Sequence, residues 1–502
     1  MTKPLSRIAA ALTATALAVL SLTSCAPSYP AAKPITTDTV GVQLNMWSFD
    51  SIAAECPTLS AEGYDWVLVS PPQEDIQGSE WWDHYQPVSY KIDSSLGNEK
   101  QFMAMIEACK KVDVQIMVDV VLNHMTGQLE GKGFAGTAFS KYDYPGLYKS
   151  EDFHVCPTGV SQIEDWTNVE EIQQCELLGL ADLNTSKSNV RDQLAKFLQG
   201  LRKMGVAGFR VDAAKHIAAS ELKQIIDQLP NDTTFIDEVI GEQPPQSDYY
   251  AFSHVFSFDW ISQMHNIFGS NGLLGGSADQ SYFDMLSPSD KTVTLVSNHD
   301  TERNGNGLTY MFPKAFNLAS VFTLAVPYGK PMMYSSYAFD DPDQGPQQDF
   351  TGYQPLGSCV DNAGPDHGVY EAGQWVCQHR WPAITGMIAF HKAVGDSKFN
   401  NIWHEGDAYG FGRGKLGYVA FNTGDATVTA TIKTELPAGN YVDRISGKPV
   451  TVNVRGRIYL STNDNHFYAL AQADGREHLV HLARLQDRKS TRLNSSHRCL
   501  SR

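Results

Sequence analysis

The segment from Gly208 to His216, with the sequence GFRVDAAKH, most constrains how this chain can fold. It begins as a short apolar strand, Ala207 to Val211, and continues into polar residues. Side chains alternate between the two faces of a strand, so Arg210 and Asp212 point the same way. An arginine so placed can hold the Asp212 carboxylate ionised and aimed. Alone, the pattern is equally typical of a structural ion pair at a strand end.

Three further apolar runs also end in carboxylate, amide or imidazole side chains. They are Asp119 to His124, Phe235 to Glu238 and Val296 to Asp300. Four such runs in chain order predict the C-terminal rim of a parallel barrel, where side chains from distant parts of the sequence converge.

The alternation of strand and helix patterns along the chain predicts the same architecture. We predict strands at 40–46, 66–70, 115–121, 207–211, 234–238, 255–258, 293–297 and 331–334. Eight strands with helices between them indicate an α/β fold, a (β/α)8 TIM barrel, over 39–123 and 180–395. Residues 124–179 are too long and aperiodic for a loop, which predicts a small inserted domain after the third strand. Short alternating runs at 396–472 predict a C-terminal antiparallel β-sandwich.

The N-terminus has the pattern of a targeting segment. Lys3 and Arg7 precede an apolar run too short to span a membrane comfortably, so residues 1–24 are predicted to be a signal peptide. The run ends in LTSC at Cys25, which resembles a bacterial lipoprotein cleavage box. We expect a secreted or cell-surface protein that is lipid-anchored through Cys25, with 25–38 as a linker. The alternative is an ordinary secretory signal with an incidental cysteine.

Composition and the C-terminal tail set further bounds. The formal net charge of -17 argues against nucleic acid or an anionic membrane surface as partner and fits a neutral substrate. Residues 473–502 form a tail in which 487–497, DRKSTRLNSSH, looks like a translated sequencing adapter, so the tail is excluded from the fold. With Cys25 and Cys499 set aside, six cysteines of an exported protein allow 15 disulfide connectivities.

The four strand-end segments, in this order and spacing, resemble the signature regions of the α-amylase family of glycoside hydrolases. LADLN at 180–184 resembles the family's fifth region, and VSPP at 69–72 and WWDHYQPVSY at 81–90 resemble the α-amylases within it. The likeness runs from about residue 40 to about residue 470. It implies the disulfides Cys56–Cys109, Cys156–Cys175 and Cys359–Cys377. It also implies a monomer that hydrolyses internal α-1,4-glucosidic bonds of starch or glycogen with retention.

Retention requires two carboxyl groups about 5 Å apart, one on each side of the scissile bond. The resemblance assigns Asp212 as the nucleophile, Glu238 as the acid/base and Asp300 as a third carboxylate that grips sugar hydroxyls. Imidazoles and aromatic rings at the same rim are suited to binding and stacking on sugars. The predicted substrate contacts are Trp81, Trp82, Tyr85, Gln86, His124, Tyr148, Leu180, Arg210, Lys215 and His299.

The resemblance also implies a structural calcium ion. Asn123, Asp182 and the backbone carbonyls of Gln173 and His216 match the family's ligands, and all are the hard oxygen donors that calcium requires. Some α-amylases also bind chloride through two basic side chains and an asparagine. Met332 stands at the position of the second basic side chain, which predicts no tight chloride site unless Lys330 replaces it.

Two other functions are compatible with the motifs. A transglycosylase of the same family would pass the same covalent intermediate to a sugar acceptor. A non-catalytic glucan-binding lipoprotein on the same barrel is expected to lack a catalytic carboxylate, whereas Asp212, Glu238 and Asp300 are all present here.

Overall fold

Eight parallel strands close into a barrel in the computed structural model, which describes residues 29–269, 280–347, 359, 369–424, 426–462 and 467–471. In chain order the barrel strands are Gly41–Leu44, Trp66–Val69, Gln115–Val121, Gly208–Asp212, Thr234–Asp237, His254–Phe256, Thr292–Thr294 and Lys330–Ser335. Each strand pairs with the next and the eighth pairs with the first. The predicted (β/α)8 barrel is therefore confirmed.

Helices surround the barrel. The described α-helices are Phe49–Glu62, Glu99–Lys111, Val169–Gln174, Ser188–Met204, Ala219–Ile226, Phe258–Met264, Gln280–Phe283, His299–Asn304, Pro313–Ala325 and Pro382–Val394. The second shows why they form: Asn98 and Gln101 make a capping box, and the apolar residues at helical spacing are buried. No described helix combines the length and hydropathy that crossing a membrane requires.

The seventh barrel strand is shorter than the sequence predicted. It ends at Thr294 instead of residue 297 because Asn298 is the N-cap of the helix His299–Asn304. The Asn298 side chain accepts a hydrogen bond from the backbone N–H of Thr301 at 2.9 Å. This cap places His299 and Asp300 in the first turn of a helix at the barrel mouth.

The opposite end of the barrel is closed by residues that we predicted to be a linker. Ile35 is 4% exposed and packs with interior residues such as Trp66 and Met332. The N–H of Ala32 donates to Asp232, and Arg202 donates to the carbonyl of Pro30. The linker prediction is therefore wrong for the described residues 29–38, because burial of Ile35 holds this segment on the barrel. Cys25 lies outside the described residues.

The inserted segment after the third strand forms its own hairpin and helix, and its buried rings are continuous with the main core. A hairpin of Glu130–Lys132 with Ala138–Ser140 is followed by the helix Val169–Gln174. The rings of Tyr144 and Tyr148 pack against Phe153 in its interior. All three disulfides implied by the resemblance, Cys56–Cys109, Cys156–Cys175 and Cys359–Cys377, are formed.

The C-terminal part is an antiparallel all-β domain, as predicted. Its strands are Phe399–Glu405, Ala408–Arg413, Gly417–Asn422, Val428–Lys433, Gly439–Val442, Pro449–Val452, Arg457–Thr462 and Phe467–Ala471. Four of them form one sheet and the others form two-stranded sheets. Arg413 joins this domain to the barrel, since its buried guanidinium donates to the carbonyls of Ala325, Gly395 and Ser397.

Candidate active site

Three carboxylates converge on one guanidinium group at the C-terminal mouth of the barrel. Arg210 Nη1 lies 2.8 Å from Asp212 Oδ1 and 2.8 and 2.9 Å from the two oxygens of Asp119. Arg210 Nη2 lies 2.7 Å from Glu238 Oε2. The side chain of Arg210 is only 1% exposed, so it forms the floor of the site. Asp212 and Glu238, which the sequence places on neighbouring strands, therefore meet at one point.

Parallel pairing explains why Asp119 belongs to this cluster. Asp119 of the third strand is the register partner of Arg210 on the fourth strand. Tyr85 donates from its hydroxyl to Asp119 Oδ2 at 2.9 Å. Asp119 begins one of the four segments singled out in the sequence, but no role was predicted for its side chain.

A strained backbone turn links the two principal carboxylates. Ala213, directly after Asp212, has a φ of 50°, a left-handed conformation that is uncommon for residues other than glycine. In this conformation the N–H of Ala213 donates to Glu238 Oε2 at 2.8 Å. The turn thus fixes the Glu238 carboxyl relative to the end of the fourth strand.

Burial is the largest influence on the pKa values of the Asp212, Asp119 and Asp300 carboxyl groups. It raises the pKa of Asp212 well above its ordinary value, Arg210 opposes this, and the neighbouring Glu238 and Asp119 carboxylates add to it. Burial also raises the pKa of Asp119 to about 6 and raises that of Asp300. The expectation that Arg210 alone keeps Asp212 ionised is therefore too simple, because one guanidinium serves several carboxylates.

Burial keeps two histidines at this end of the barrel neutral, His124 after the third strand and His299 in the helix after the seventh. Burial lowers the pKa of His124 to about 4 and that of His299 well below its ordinary value. His124 Nε2 donates to the carbonyl of Tyr85 at 3.0 Å. His299 lies 3.4 Å from Asp300 Oδ2, and its Nδ1 lies 3.1 Å from Gln43 Nε2. Gln43 was not predicted as part of the site.

Aromatic rings from the loop after the second strand pack against His299. Tyr85 stacks on His299 with ring centroids 5.0 Å apart, and Trp81 meets the same imidazole edge-on at 5.5 Å. The neighbouring Trp82 is 37% exposed and projects into solvent. Such faces beside buried carboxylates suit a sugar chain, whose apolar faces stack on aromatic rings.

Three other predicted substrate contacts occupy different environments. Tyr148 is 1% exposed, and its hydroxyl lies 2.9 Å from that of Tyr90, which belongs to the loop after the second strand. Because this hydroxyl already has a protein partner, the sugar contact of Tyr148 stays a prediction. Gln86 accepts hydrogen bonds from Thr126 and Gly127 through Oε1, so that oxygen holds the start of the inserted domain. Leu180 is half-buried.

Lys215 reveals an aromatic residue that the sequence analysis missed. Its backbone N–H donates to the Glu238 carbonyl at 3.2 Å, and Nζ donates to the Ile240 carbonyl at 2.9 Å. The ammonium lies 5.4 Å from the ring centroid of Trp166, which is 48% exposed. Trp166 lies in the aperiodic inserted segment, where no sequence period distinguishes a surface platform from a core aromatic.

The predicted calcium donors gather beside the cluster. Asn123 and Asp182 are both buried, and the backbone N–H after Asp182 donates to the Asn123 carbonyl at 2.9 Å. Burial raises the pKa of Asp182 to about 7, and its Oδ2 lies 2.6 Å from His154 Nδ1. His216 Nδ1 donates to the Ile172 carbonyl, which brings residue 216 next to Gln173. Across the described residues, no three His, Cys, Asp or Glu side chains group as metal ligands.

Met332, whose side chain led us to predict no tight chloride site, has apolar surroundings in the structure. Met332 is fully buried among barrel-interior residues that include Ile236 and Phe256. Lys330 donates through Nζ to the backbone carbonyl of Asp290.

A (β/α)8 barrel with paired carboxylates at its C-terminal mouth is an arrangement found among glycoside hydrolases. Residues 67–265 match the family model described as alpha amylase, catalytic domain, and residues 403–482 match alpha amylase, C-terminal all-beta domain. The chain belongs to the α-amylase family.

Similar proteins agree with this assignment. An alpha-amylase of Streptomyces violaceus is 39% identical over 475 residues, which cover 92% of this chain and 79% of that protein. The crystal structure of wild-type alpha-amylase I from Eisenia fetida superposes with a TM-score of 0.81 at 30% identity and covers 89% of this chain and 99% of that one. A mutant of that enzyme in complex with maltohexaose matches with the same TM-score at 31% identity, covering 89% of this chain and 100% of that one.

Proposed function

We propose that this α-amylase cleaves internal α-1,4-glucosidic bonds by double displacement, with Asp212 as nucleophile and Glu238 as acid/base. The observation that carries this proposal is the shared contact of both carboxyls with Arg210. Asp212 attacks the anomeric carbon while Glu238 protonates the departing glycosidic oxygen. Glu238 then takes a proton from water, which attacks the same carbon and releases Asp212, so two inversions give net retention.

The surrounding side chains bind and orient the sugar before cleavage. Asp300 accepts hydrogen bonds from sugar hydroxyls, and the neutral imidazoles of His124 and His299 complete the polar wall around that ring. Trp81 and Trp82 stack on the glucan, and Trp166 provides a ring face on the side of Glu238.

The direct test of these roles replaces each carboxylate by its amide. Asp212→Asn and Glu238→Gln should each reduce kcat on starch by several orders of magnitude while starch binding persists. The matched control is Asp237→Asn, since Asp237 neighbours Glu238 in sequence but bonds to Ser253 outside the cluster. The newly formed reducing ends should have the α configuration, and release of the β anomer would contradict the proposed mechanism.

We propose that calcium occupies the site formed by Asn123, Asp182 and the backbone carbonyls of Gln173 and His216. The ion would bridge the inserted domain to the barrel; it supplies rigidity and takes no part in bond cleavage. Added calcium should raise the Tm of the native protein and have little effect on Asp182→Asn. Asp143→Asn, at an exposed ion pair of the same inserted domain, is the control and should keep the calcium response.

We also propose that activity is independent of chloride. The direct Arg210–Glu238 contact and the apolar environment of Met332 support this, because a second cation beside Arg210 is absent from that position. Rates in chloride and in acetate at equal ionic strength should agree. Strong activation by chloride would contradict the proposal.

We propose export as a monomer with lipidation at Cys25. Three disulfides indicate an oxidising compartment, which supports export. In a bacterial host the native protein should fractionate with membranes and incorporate labelled fatty acid, whereas Cys25→Ser should do neither. Equal release of both into the medium would contradict lipid anchoring.

A further inference from the structure

Arg303 occupies an unusual position at the end of the helix that carries His299 and Asp300. Its side chain is only 3% exposed, yet it lies at the catalytic end of the barrel. Glu302 Oε2 lies 3.1 Å from Arg303 Nη1 and also accepts from the Tyr334 hydroxyl at 2.7 Å. The charge of Arg303 is thus balanced by a carboxylate outside the catalytic cluster.

Three aromatic rings surround the guanidinium of Arg303. Its Cζ lies 4.5 Å from the ring centroid of Phe339, 5.2 Å from that of Tyr337 and 5.5 Å from that of Trp81. We call these rings the aromatic cage. A cation over an aromatic face is attracted to it, and the attraction strengthens when water is excluded.

The cage connects elements that are far apart in sequence. Trp81 comes from the loop after the second strand, and the other two rings follow the eighth strand. Arg303 Nη1 also donates to the His299 carbonyl at 3.1 Å. Trp81 donates from Nε1 to the Pro342 carbonyl at 3.0 Å, which fixes one edge of its indole. Arg303 therefore links Trp81 to the helix bearing His299 and Asp300, in addition to the edge-on contact of the indole with His299.

We propose that Arg303 is a positioning residue for glucan binding, which acts by holding the Trp81 ring at a fixed distance from His299 and Asp300. This inference rests on the sugar contact of Trp81 proposed above. A planar guanidinium can contact several rings at once, which a lysine ammonium on a flexible stem does less well. Loss of Arg303 frees the indole to rotate, so binding weakens while the carboxylates keep their contacts with Arg210.

A double-mutant cycle tests this inference through the separation of KM from kcat. Arg303→Met should raise KM for a soluble α-glucan by roughly fivefold, which corresponds to about 1 kcal/mol and lies within the range of cation–π contacts, with a smaller change in kcat. Trp81→Ala should raise KM at least as much. Adding Arg303→Met to Trp81→Ala should change KM little further, because the positioned ring is already gone. Arg303→Lys should recover part of the loss.

The control is Arg202→Lys, which alters a fully buried arginine at the opposite end of the barrel. It should lower Tm without raising KM. If Arg303→Met lowers Tm but leaves KM unchanged, or if its effect on KM adds fully to that of Trp81→Ala, Arg303 is merely structural and the inference is overturned. If Trp81→Ala itself leaves KM unchanged, the proposed sugar contact of Trp81 fails and the positioning role fails with it.

Discussion

At the residue scale, Asp119 and Asp212 share the guanidinium of Arg210, and the Asp119 charge adds to the raised pKa of Asp212. Replacing Asp119 with Asn removes that negative charge, so the pKa of Asp212 should fall. The nucleophile then stays ionised to lower pH, and the acid limb of kcat/KM should move down by about one pH unit. Rates on a soluble glucan across the acid range give this limb directly.

The Asp237→Asn variant controls for the loss of a buried carboxylate as such. Burial raises the pKa of Asp237 to about 7, but its carboxyl bonds to Ser253, outside the cluster. Its acid limb should match that of the native protein. An Asp119→Asn profile that stays in place or moves to higher pH would show that the two carboxylates are not coupled through Arg210.

At the scale of elements, periodicity accounts for what the sequence could predict. The spacing of apolar residues predicted the strands and helices of the barrel. The polar residues that follow four of these apolar runs then predicted that Asp212, Glu238 and Asp300 lie at one rim. The role of Asp119 could not be predicted, because it depends on the register between the third and fourth strands. Trp166 lies in a segment without a period, so its exposure is set by tertiary packing alone.

One charged side chain of the β-domain, Arg413, makes hydrogen bonds at its junction with the barrel. Arg413 donates to carbonyls at or near the ends of the helices Pro313–Ala325 and Pro382–Val394, where the helix dipole favours a cation. Arg413→Met leaves three carbonyls without this donor, and we expect unfolding to become easier by roughly 3 kcal/mol. Calorimetry should show a lower Tm. Arg457→Met, at an exposed position of a strand in the same domain, should leave the Tm unchanged; equal effects of both variants would contradict this role.

At the scale of the whole molecule, the two ends of the barrel have separate tasks. The C-terminal mouth carries the carboxylates, whereas the N-terminal end is closed by the segment that contains Ile35. A change at the closed end should therefore reduce stability without changing the chemistry at the mouth.

Ile35→Ala tests this separation because it removes a buried side chain at the closed end of the barrel. The lost burial and the cavity left behind should destabilise the fold by roughly 2–5 kcal/mol and lower the Tm. Below the unfolding transition, kcat and KM should equal those of the native protein. Pro34→Ala, at the exposed neighbouring position, should change neither stability nor activity. A fall in kcat for Ile35→Ala at a temperature where the protein is fully folded would show that the two ends of the barrel are coupled, since the strands would then transmit the repacking to the carboxylates.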